Sequence, residues 1–493
     1  MSTQYSIARK EIGRIRFDIL SPPEIKARSA TKAYPNGIEA TVLYDGIKAK
    51  KGGLLDYVLG PCDNYSLCDT CGLSAALCNG HSGHISMVED VHHIELLKFL
   101  PKILSCLCLR CCKLRISKNE DEIKEMLKVN KKPKQRFIEI KNATKNSNYC
   151  QRPGSGCGTP APKIKIIPRK SAGIVEIVAE TDMKHLANDE TGHTETKKKI
   201  TQVLTPKMIK NILKLVPDND LRLMGFDPDH RPDKFIISEL LVPPVQIRPS
   251  VKMDGLQAAT NEDHLTMSLV NIVKVNTRIR DYKDNNVEQN IKYITEHSHL
   301  LQLHVATYMN NETSLFPRSE QKNVAVKSVA ARLKSKTGRI RGNLMGKRVD
   351  FSCRSVITSD TNLDIEELGV PVKCAMTVTI PETVTPANYE KMVKLVKNGR
   401  YIYPGANKVK FAGKINPEDG TLETIDLRKR RNVPLKYGDV VERHLVSGDY
   451  VLFNRQPSLH KVSMMGHKVR IFNNLVYATF RINECVCAPY NAD

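Results

Sequence analysis

Tryptophan is absent from this chain, and all aromatic residues together make up only 5% of it. A protein that grips single strands mainly by stacking bases on rings needs such side chains, so stacking platforms are excluded as its principal binding device. Also missing is any apolar run long enough to span a bilayer. The opening MSTQYSIARKEIGRIRF has neither the apolar core nor the small-residue cleavage site of a secretory leader. The expectation is an intracellular protein with no membrane partner, in a compartment that keeps thiols reduced. No repeat of solenoid period is present. Acidic residues are in deficit, with 53 Asp and Glu against 76 Lys and Arg and a net charge of +23.

What is present suits a large folded protein. The 493 residues are 41% apolar and 26% charged, too long for one core, so roughly three to four domains are expected. The cationic excess points to a polyanionic partner, because each phosphate contact releases condensed counterions; the plainer alternative is a soluble protein kept apart by self-repulsion.

Ten of the fourteen cysteines fall within residues 61–160. In a reducing compartment such clustering argues for metal ligands before disulfides. Cys68-x2-Cys71-x6-Cys78-x2-His81 has the form of two tight turns, each presenting two ligands to one ion, and two such turns complete a closed tetrahedral zinc site. Cys62 and His84 are further candidates, and His84 could replace His81. Cys108-x2-Cys111 with Cys150-x6-Cys157 predicts a second site closed across a lysine-rich stretch, Lys113 to Lys145; Cys106 and Cys112 compete for it. Neither set leaves a position for water, so both metals would be structural. Cys353, Cys374, Cys485 and Cys487 lie in apolar or strand contexts and are expected to be small core residues.

The lysine-rich stretch itself reads as a helix-plus-loop insertion, and its Lys131-Lys132-Pro133-Lys134 suits either a nuclear address or a solvated loop. Residues 204–216 predict a helix with Leu204, Met208, Ile209, Ile212, Leu213 and Val216 on one face and Pro206 in the first turn. Val242-Pro243-Pro244 to Arg248-Pro249 reads as extended. Residues 262–279 and 287–309 predict two long helices. From about 350, β-branched residues alternate with polar ones between Pro and Gly, which predicts short strands.

Residues 321–354 hold Lys322, Lys327, Arg332, Lys334, Lys336, Arg339, Arg341, Lys347, Arg348 and Arg354 against one acid, Asp350. Glycines at 338, 342 and 346 let backbone amides approach phosphates. This is the pattern of an element that tracks a phosphate backbone without reading bases.

At these residues the chain resembles a known family. RGNLMGKRVDFSCRSVI at 341–357 and VERHLVSGDYVLFNRQPSLHKVSMMGH at 441–467 closely resemble core segments of the largest subunit of multisubunit DNA-dependent RNA polymerases. APYNAD at 488–493 is similar to the start of that family's catalytic motif, Asn-Ala-Asp-Phe-Asp-Gly-Asp. The first cysteine group with its GHSGH run also fits, as does LTPKMIKNIL followed by LMGFDPDHRPDKFIISELLVPPVQIRPSV. The likeness covers most of the chain and is nearer the eukaryotic and large-DNA-virus forms than the bacterial one.

The resemblance implies an α+β multidomain fold. Residues 1–170 would be a clamp core and zinc-bearing clamp head, and 171–320 would carry the lid and rudder region and coiled-coil helices that dock initiation factors. Residues 321–354 would be a switch segment gripping template DNA, with Arg332, Lys334, Lys336, Arg339, Arg341, Lys347, Arg348 and Arg354 as contacts. Residues 350–493 would be part of a double-psi β-barrel. Arg455, Gln456 and Pro457, with Asn491, would meet the incoming ribonucleotide, where a planar guanidinium offers fixed donors to sugar and phosphate oxygens and the 2′-OH separates RNA from DNA precursors. Asp493 would be the first of three alternating carboxylates that hold a catalytic Mg²⁺, with a second Mg²⁺ arriving on the nucleotide.

The sequence ends at Asp493, so the expectation is a completing segment that supplies the other carboxylates and barrel strands, from a split gene, an intron or an intervening protein element. One aspartate is a poor cage for Mg²⁺. Partners would then be that segment, the second-largest and other polymerase subunits, template DNA and nascent RNA, in the nucleus or in a virion and host cytoplasm. The alternative is a non-catalytic zinc-stabilised fragment that binds nucleic acid or factors.

Overall fold

The computed structural model describes residues 13–490 except 15–17, 47, 64, 117–131, 146, 151–155, 170–172, 187–194, 253–259, 286–289, 322, 416–421, 429–431, 474–477 and 488–489. Two compact units divide the chain after Met345.

The first unit has two cores. One is built around an antiparallel pair, Gly83–His92 with Ile236–Val242. Its pairing slips between Ser86 and Val91, which leaves backbone groups to satisfy. Two long helices, His264–Asp284 and Asn290–Met309, do this from above. The Val88 N–H donates to Asn276 Oδ1 at 2.9 Å and the Asn276 amide donates to the Ser86 carbonyl at 2.9 Å. Gln302 both accepts from His92 N at 2.6 Å and donates to His92 O at 3.0 Å. A buried bulge is tolerable only when its polar groups are paired in this way.

The first helix starts where Asp263 accepts from the Leu265 N–H at 2.8 Å, an N-cap. Leu265, Leu269, Ile272, Val273 and Ile279 recur at helical spacing and are buried. Near the linked ends Tyr282 stacks on Tyr293, with ring centroids 5.9 Å apart.

The other core lies under a three-stranded antiparallel sheet, Lys163–Arg169, Ile174–Leu186 and Glu195–Leu204. The helix that follows is Pro206–Lys214, opened by the Thr205 hydroxyl accepting from Met208 N. Ile209 and Leu213 are buried in it. It is shorter than predicted because Leu204 is already committed to the sheet opposite Ile177, and Met208 points outward at 37% exposure. The stretch expected to be extended after Val242 contains one helical turn, Val245–Ile247. The buried Arg248 behind it donates to Pro243 O, Thr266 Oγ1 and Leu54 O. The lysine-rich stretch contributes the helix Pro133–Lys145, which buries Phe137 and Ile140; Lys131 lies outside the described residues.

The second unit is strand-rich, as the alternation predicts. A mixed five-stranded sheet runs in the order Ile357–Ser359, Phe480–Ile482, Glu367–Pro371, Met464–Phe472, Tyr450–Asn454. Glu367–Pro371 is parallel to Met464–Phe472, so the intervening chain is a long crossover. That crossover contains a four-stranded antiparallel sheet, Thr379–Thr383, Val440–His444, Ala406–Ile415 and Leu422–Asp426. The helix Tyr389–Asn398 buries Met392, Leu395 and Val396 in its core. Among the described helices none is long and apolar enough to cross a membrane.

Candidate functional site

Two clusters of potential metal ligands stand out in the first unit: Cys68, Cys71, Cys78 and His81, and Cys108, Cys111, Cys150 and Cys157. Within each set the four ligand atoms lie within 4.8 Å of one another. In the first, Cys71 Sγ is 3.6 Å from Cys78 Sγ, and Cys78 Sγ is 3.7 Å from His81 Nε2. In the second, Cys108 and Cys157 are 3.4 Å apart and Cys111 and Cys150 are 3.7 Å apart. Thiolates at about 2.3 Å from one tetrahedral zinc sit about 3.8 Å from each other, so both donor sets have the size and the chemistry for such an ion.

Three of the four turns repeat one backbone design. The N–H of the first cysteine reaches across the turn: Cys68 to Leu73 O, Cys108 to Lys113 O, Cys150 to Thr159 O, each at 2.9 Å. The residue after the second cysteine donates back to the carbonyl of the first: Gly72 to Cys68, Cys112 to Cys108, Gly158 to Cys150. That residue must adopt a left-handed conformation, with φ of 72° at Gly72, 57° at Cys112 and 68° at Gly158. The competing Cys112 is therefore the turn's left-handed hinge and stands outside the ligand set. Cys106 is also outside it, its thiol directed to Lys102 O at 3.3 Å. His84 is buried with Nδ1 2.7 Å from Ser29 Oγ, so His81 completes the first set. Cys62 lies beside Asp63, outside the set.

Within each cluster the groups differ in acidity. The hydrogen bond with His81 brings the Cys71 thiol down to about 7, while burial pushes Cys78 up to about 11. Thr159 brings Cys157 down to about 6, and burial pushes Cys111 up to about 12. A divalent ion favours every thiolate and would override these differences.

The basic segment is not uniform. Arg332 is only partly exposed; it pairs with Asp263 and donates to Ile247 O at 2.9 Å. Its guanidinium is thus tied to the carboxylate that caps the helix His264–Asp284. Lys334 lies 3.4 Å from Glu95. Lys336, Arg339 and Arg341 are exposed in the first unit, and Lys347, Arg348 and Arg354 are exposed in the second. The amides of Gly338 and Gly342 donate to Ser335 O at 2.9 Å and Gly338 O at 2.8 Å, so these two glycines close local turns instead of offering free N–H groups. Lys322 lies outside the described residues.

In the second unit the hairpin Tyr450–Asn454 and Met464–Phe472 carries the loop with Arg455, Gln456 and Pro457 at its tip. Gln456 and Pro457 are exposed and Arg455 is half-buried, its N–H bonded to Ser463 O at 3.2 Å. Tyr490 packs on this hairpin, its ring centroid 4.9 Å from that of Phe453 and its hydroxyl 2.9 Å from His467 Nε2. Neither Tyr490 nor His467 stood out in the sequence, although both lie inside the family-like segments. Asn491 and Asp493 lie outside the described residues.

Cys353 and Cys485, expected in the core, are exposed; Cys374 and Cys487 are half-buried. Flanking apolar letters misled here, because Val349, Phe351 and Val356 are themselves exposed.

Comparison with known proteins gives two family matches that meet where the two units meet: RNA polymerase Rpb1, domain 1, over residues 9–344, and RNA polymerase Rpb1, domain 2, over residues 346–493. The chain is 46% identical over 490 residues to DNA-directed RNA polymerase subunit 1 of Acanthamoeba polyphaga mimivirus, covering 98% of this chain and 32% of that protein. It is 40% identical over 502 residues to DNA-directed RNA polymerase subunit Rpo1N of Thermococcus celer, covering 98% of this chain and 50% of that protein. The chain therefore spans about a third of the length of one of these relatives and half of the other.

Proposed function

Because the chain belongs to the RNA polymerase Rpb1 family, as the N-terminal part of a largest subunit, we propose that it helps build the nucleotidyl-transfer centre of a DNA-dependent RNA polymerase. The observation that carries this reading is the docking of Tyr490 on Phe453 and His467. Tyr490 directly precedes Asn491 in the sequence and packs on the hairpin whose tip holds Arg455, which supports the reading.

In this reading Arg455, with Gln456, Pro457 and Asn491, receives the ribose and phosphates of the incoming ribonucleoside triphosphate. Arg455 contributes fixed donors to oxygen acceptors. Asp493 contributes one carboxylate to a Mg²⁺ whose charge would favour ionisation of the RNA 3′-hydroxyl. The exposed Lys334, Lys336, Arg339, Arg341, Lys347, Arg348 and Arg354 hold the template backbone, and Arg332 stiffens their base.

The two cysteine cages hold Zn²⁺ and stiffen the clamp head within residues 1–170. Residues 171–320 complete the clamp and present the paired helices to initiation factors, 321–354 form the switch, and 350–493 the barrel part. The partners are the second-largest and other polymerase subunits, template DNA and nascent RNA, at an intracellular site.

Extension of an RNA primer on a DNA template, by polymerase assembled with this chain and the remaining subunits, tests the reading. Arg455→Ala should cut extension while leaving template binding intact. Template binding with no extension by the wild-type assembly would instead favour a non-catalytic module, which the exposed cations alone could sustain.

A further inference from the structure

Two cysteines outside both cages face each other in the second unit. Cys353 Sγ lies 2.7 Å from Cys374 Sγ. Cys353 is exposed, in a stretch from Gly346 to Arg354 that is exposed throughout. Cys374 is half-buried on the short helix Val372–Thr377, and its sulfur packs on the core formed by Leu368, Ala375, Val469 and Ile482. One thiol is thus on a loop open to solvent and the other is on the rigid part of the fold.

Among the described residues the loop has few other ties. Ser352 Oγ reaches only to Val349 O within the same loop, at 3.2 Å, and the first bond to the sheet region beyond is Ser355 Oγ to Ala478 O at 2.5 Å. Phe351, two residues before Cys353, has φ of 57°, a strained conformation for a bulky side chain. Such a conformation persists only where its surroundings hold it.

We propose that Cys353 and Cys374 are a redox pair, and that their disulfide staples the exposed cationic loop of residues 346–354 to the helix Val372–Thr377. The oxidant is a small disulfide such as oxidised glutathione. The Cys353 thiolate attacks one glutathione sulfur, a new S–S bond forms, and the second glutathione leaves as a thiolate and takes up the proton. Cys374 then loses its proton, attacks Cys353 Sγ and releases the first glutathione. Two protein thiols and one glutathione disulfide become one protein disulfide and two glutathione thiols. The order follows from access: small oxidants reach Cys353 first, while burial, with Cys353 beside it, holds the Cys374 proton with an affinity of about 12. Capping Cys353 removes its charge and with it part of that barrier. The linkage needs no backbone movement of the kind that widely separated cysteines would demand.

The test uses the zinc-loaded full chain in buffers of varied reduced-to-oxidised glutathione ratio, followed by alkylation and peptide mass spectrometry. The expected product is a Cys353–Cys374 linked peptide that appears in one two-electron transition while both cages keep their zinc. Trypsin cleavage after Lys347, Arg348 and Arg354 should slow at least about tenfold in the oxidised protein, because closed local fluctuations deny the protease its substrate. The double variant Cys353→Ser, Cys374→Ser should be cleaved at one rate in all buffers. A stable glutathione adduct on Cys353 with Cys374 still alkylated, or equal cleavage of the linked and reduced forms, would overturn the proposal.

Discussion

The hydroxyl of Tyr490 lies 2.9 Å from Nε2 of His467, and both side chains are buried. One comes from the last described residue and the other from the centre of the strand Met464–Phe472. Burial holds the imidazole below its usual acidity range. Loss of this one hydrogen bond is correspondingly modest. Tyr490→Phe keeps the ring on Phe453 and should cost about 1 kcal/mol of stability. Tyr490→Ala also removes the ring and should cost about 3–5 kcal/mol. Denaturant melts of the two variants measure this, and primer extension should fall far more in the alanine variant than in the phenylalanine one.

The repeated turn design distinguishes ligands from scaffold among adjacent cysteines. Cys111→Ser should lower bound zinc from two ions per chain to one, and Cys68→Ser should do the same at the other cage. Cys112→Gly should keep both, because glycine is at ease at the 57° φ that Cys112 adopts. Metal content by mass spectrometry separates the variants, and loss of an ion from Cys112→Gly would mean that the second cage is drawn wrongly.

Arg332 and Arg348 should fail differently. Arg332→Ala breaks the pair with Asp263 and the bond to Ile247 O. It should cost about 1.5–3 kcal/mol in melting experiments, the usual worth of hydrogen bonds to a charged group. Arg348→Ala touches an exposed side chain and should leave melting unchanged. It should instead reduce the slope of log affinity against log salt by about 0.9, the value for one lost duplex phosphate contact.

Two buried histidines set an acid limit. His444 accepts from the Gly405 N–H through Nδ1 at 3.1 Å and meets Asn407 Oδ1 through Nε2 at 3.1 Å. The first contact needs a lone pair, so the ring is neutral with its proton on Nε2. Burial lowers it to about 4, and burial likewise takes His92 to about 4. The unfolded chain takes up these protons near pH 6.5 and the folded chain does not. Stability is therefore fully present above about 6.5 and is lost as pH falls toward 4, by up to about 3 kcal/mol per histidine. Melting temperature against pH should decline across that window. His444→Gln should flatten part of the decline, and an unchanged slope would remove His444 from the account.

Much of this was legible in the residues. The cysteine spacing marked both cages, since ligand geometry is written in local turns. The two long helices followed from apolar periodicity and the strand-rich second unit from alternation. The sheet spanning residues 163–204 was not read, because its lysines and glutamates disguise strands buried on one face, where Val175, Ile177 and Ala179 pack. The choice between Cys111 and Cys112 needed backbone geometry, and so did the tie of Arg332 to Asp263 across 69 residues. The exposure of Cys353 was misjudged because its neighbours are apolar letters on an open loop. Neighbour composition reports burial only when the segment packs.

The central claim is that the loop at Arg455 meets the sugar of an incoming ribonucleotide. The most direct measurement is the ratio of kcat/KM for a ribonucleoside triphosphate over its 2′-deoxy analogue, in the assembled polymerase, for wild type and Arg455→Ala. Loss of a hydrogen bond from a charged donor is worth about 1.5–3 kcal/mol, so the ratio should fall roughly 10- to 150-fold in the variant while template affinity holds. An unchanged ratio, with extension otherwise intact, would contradict the account.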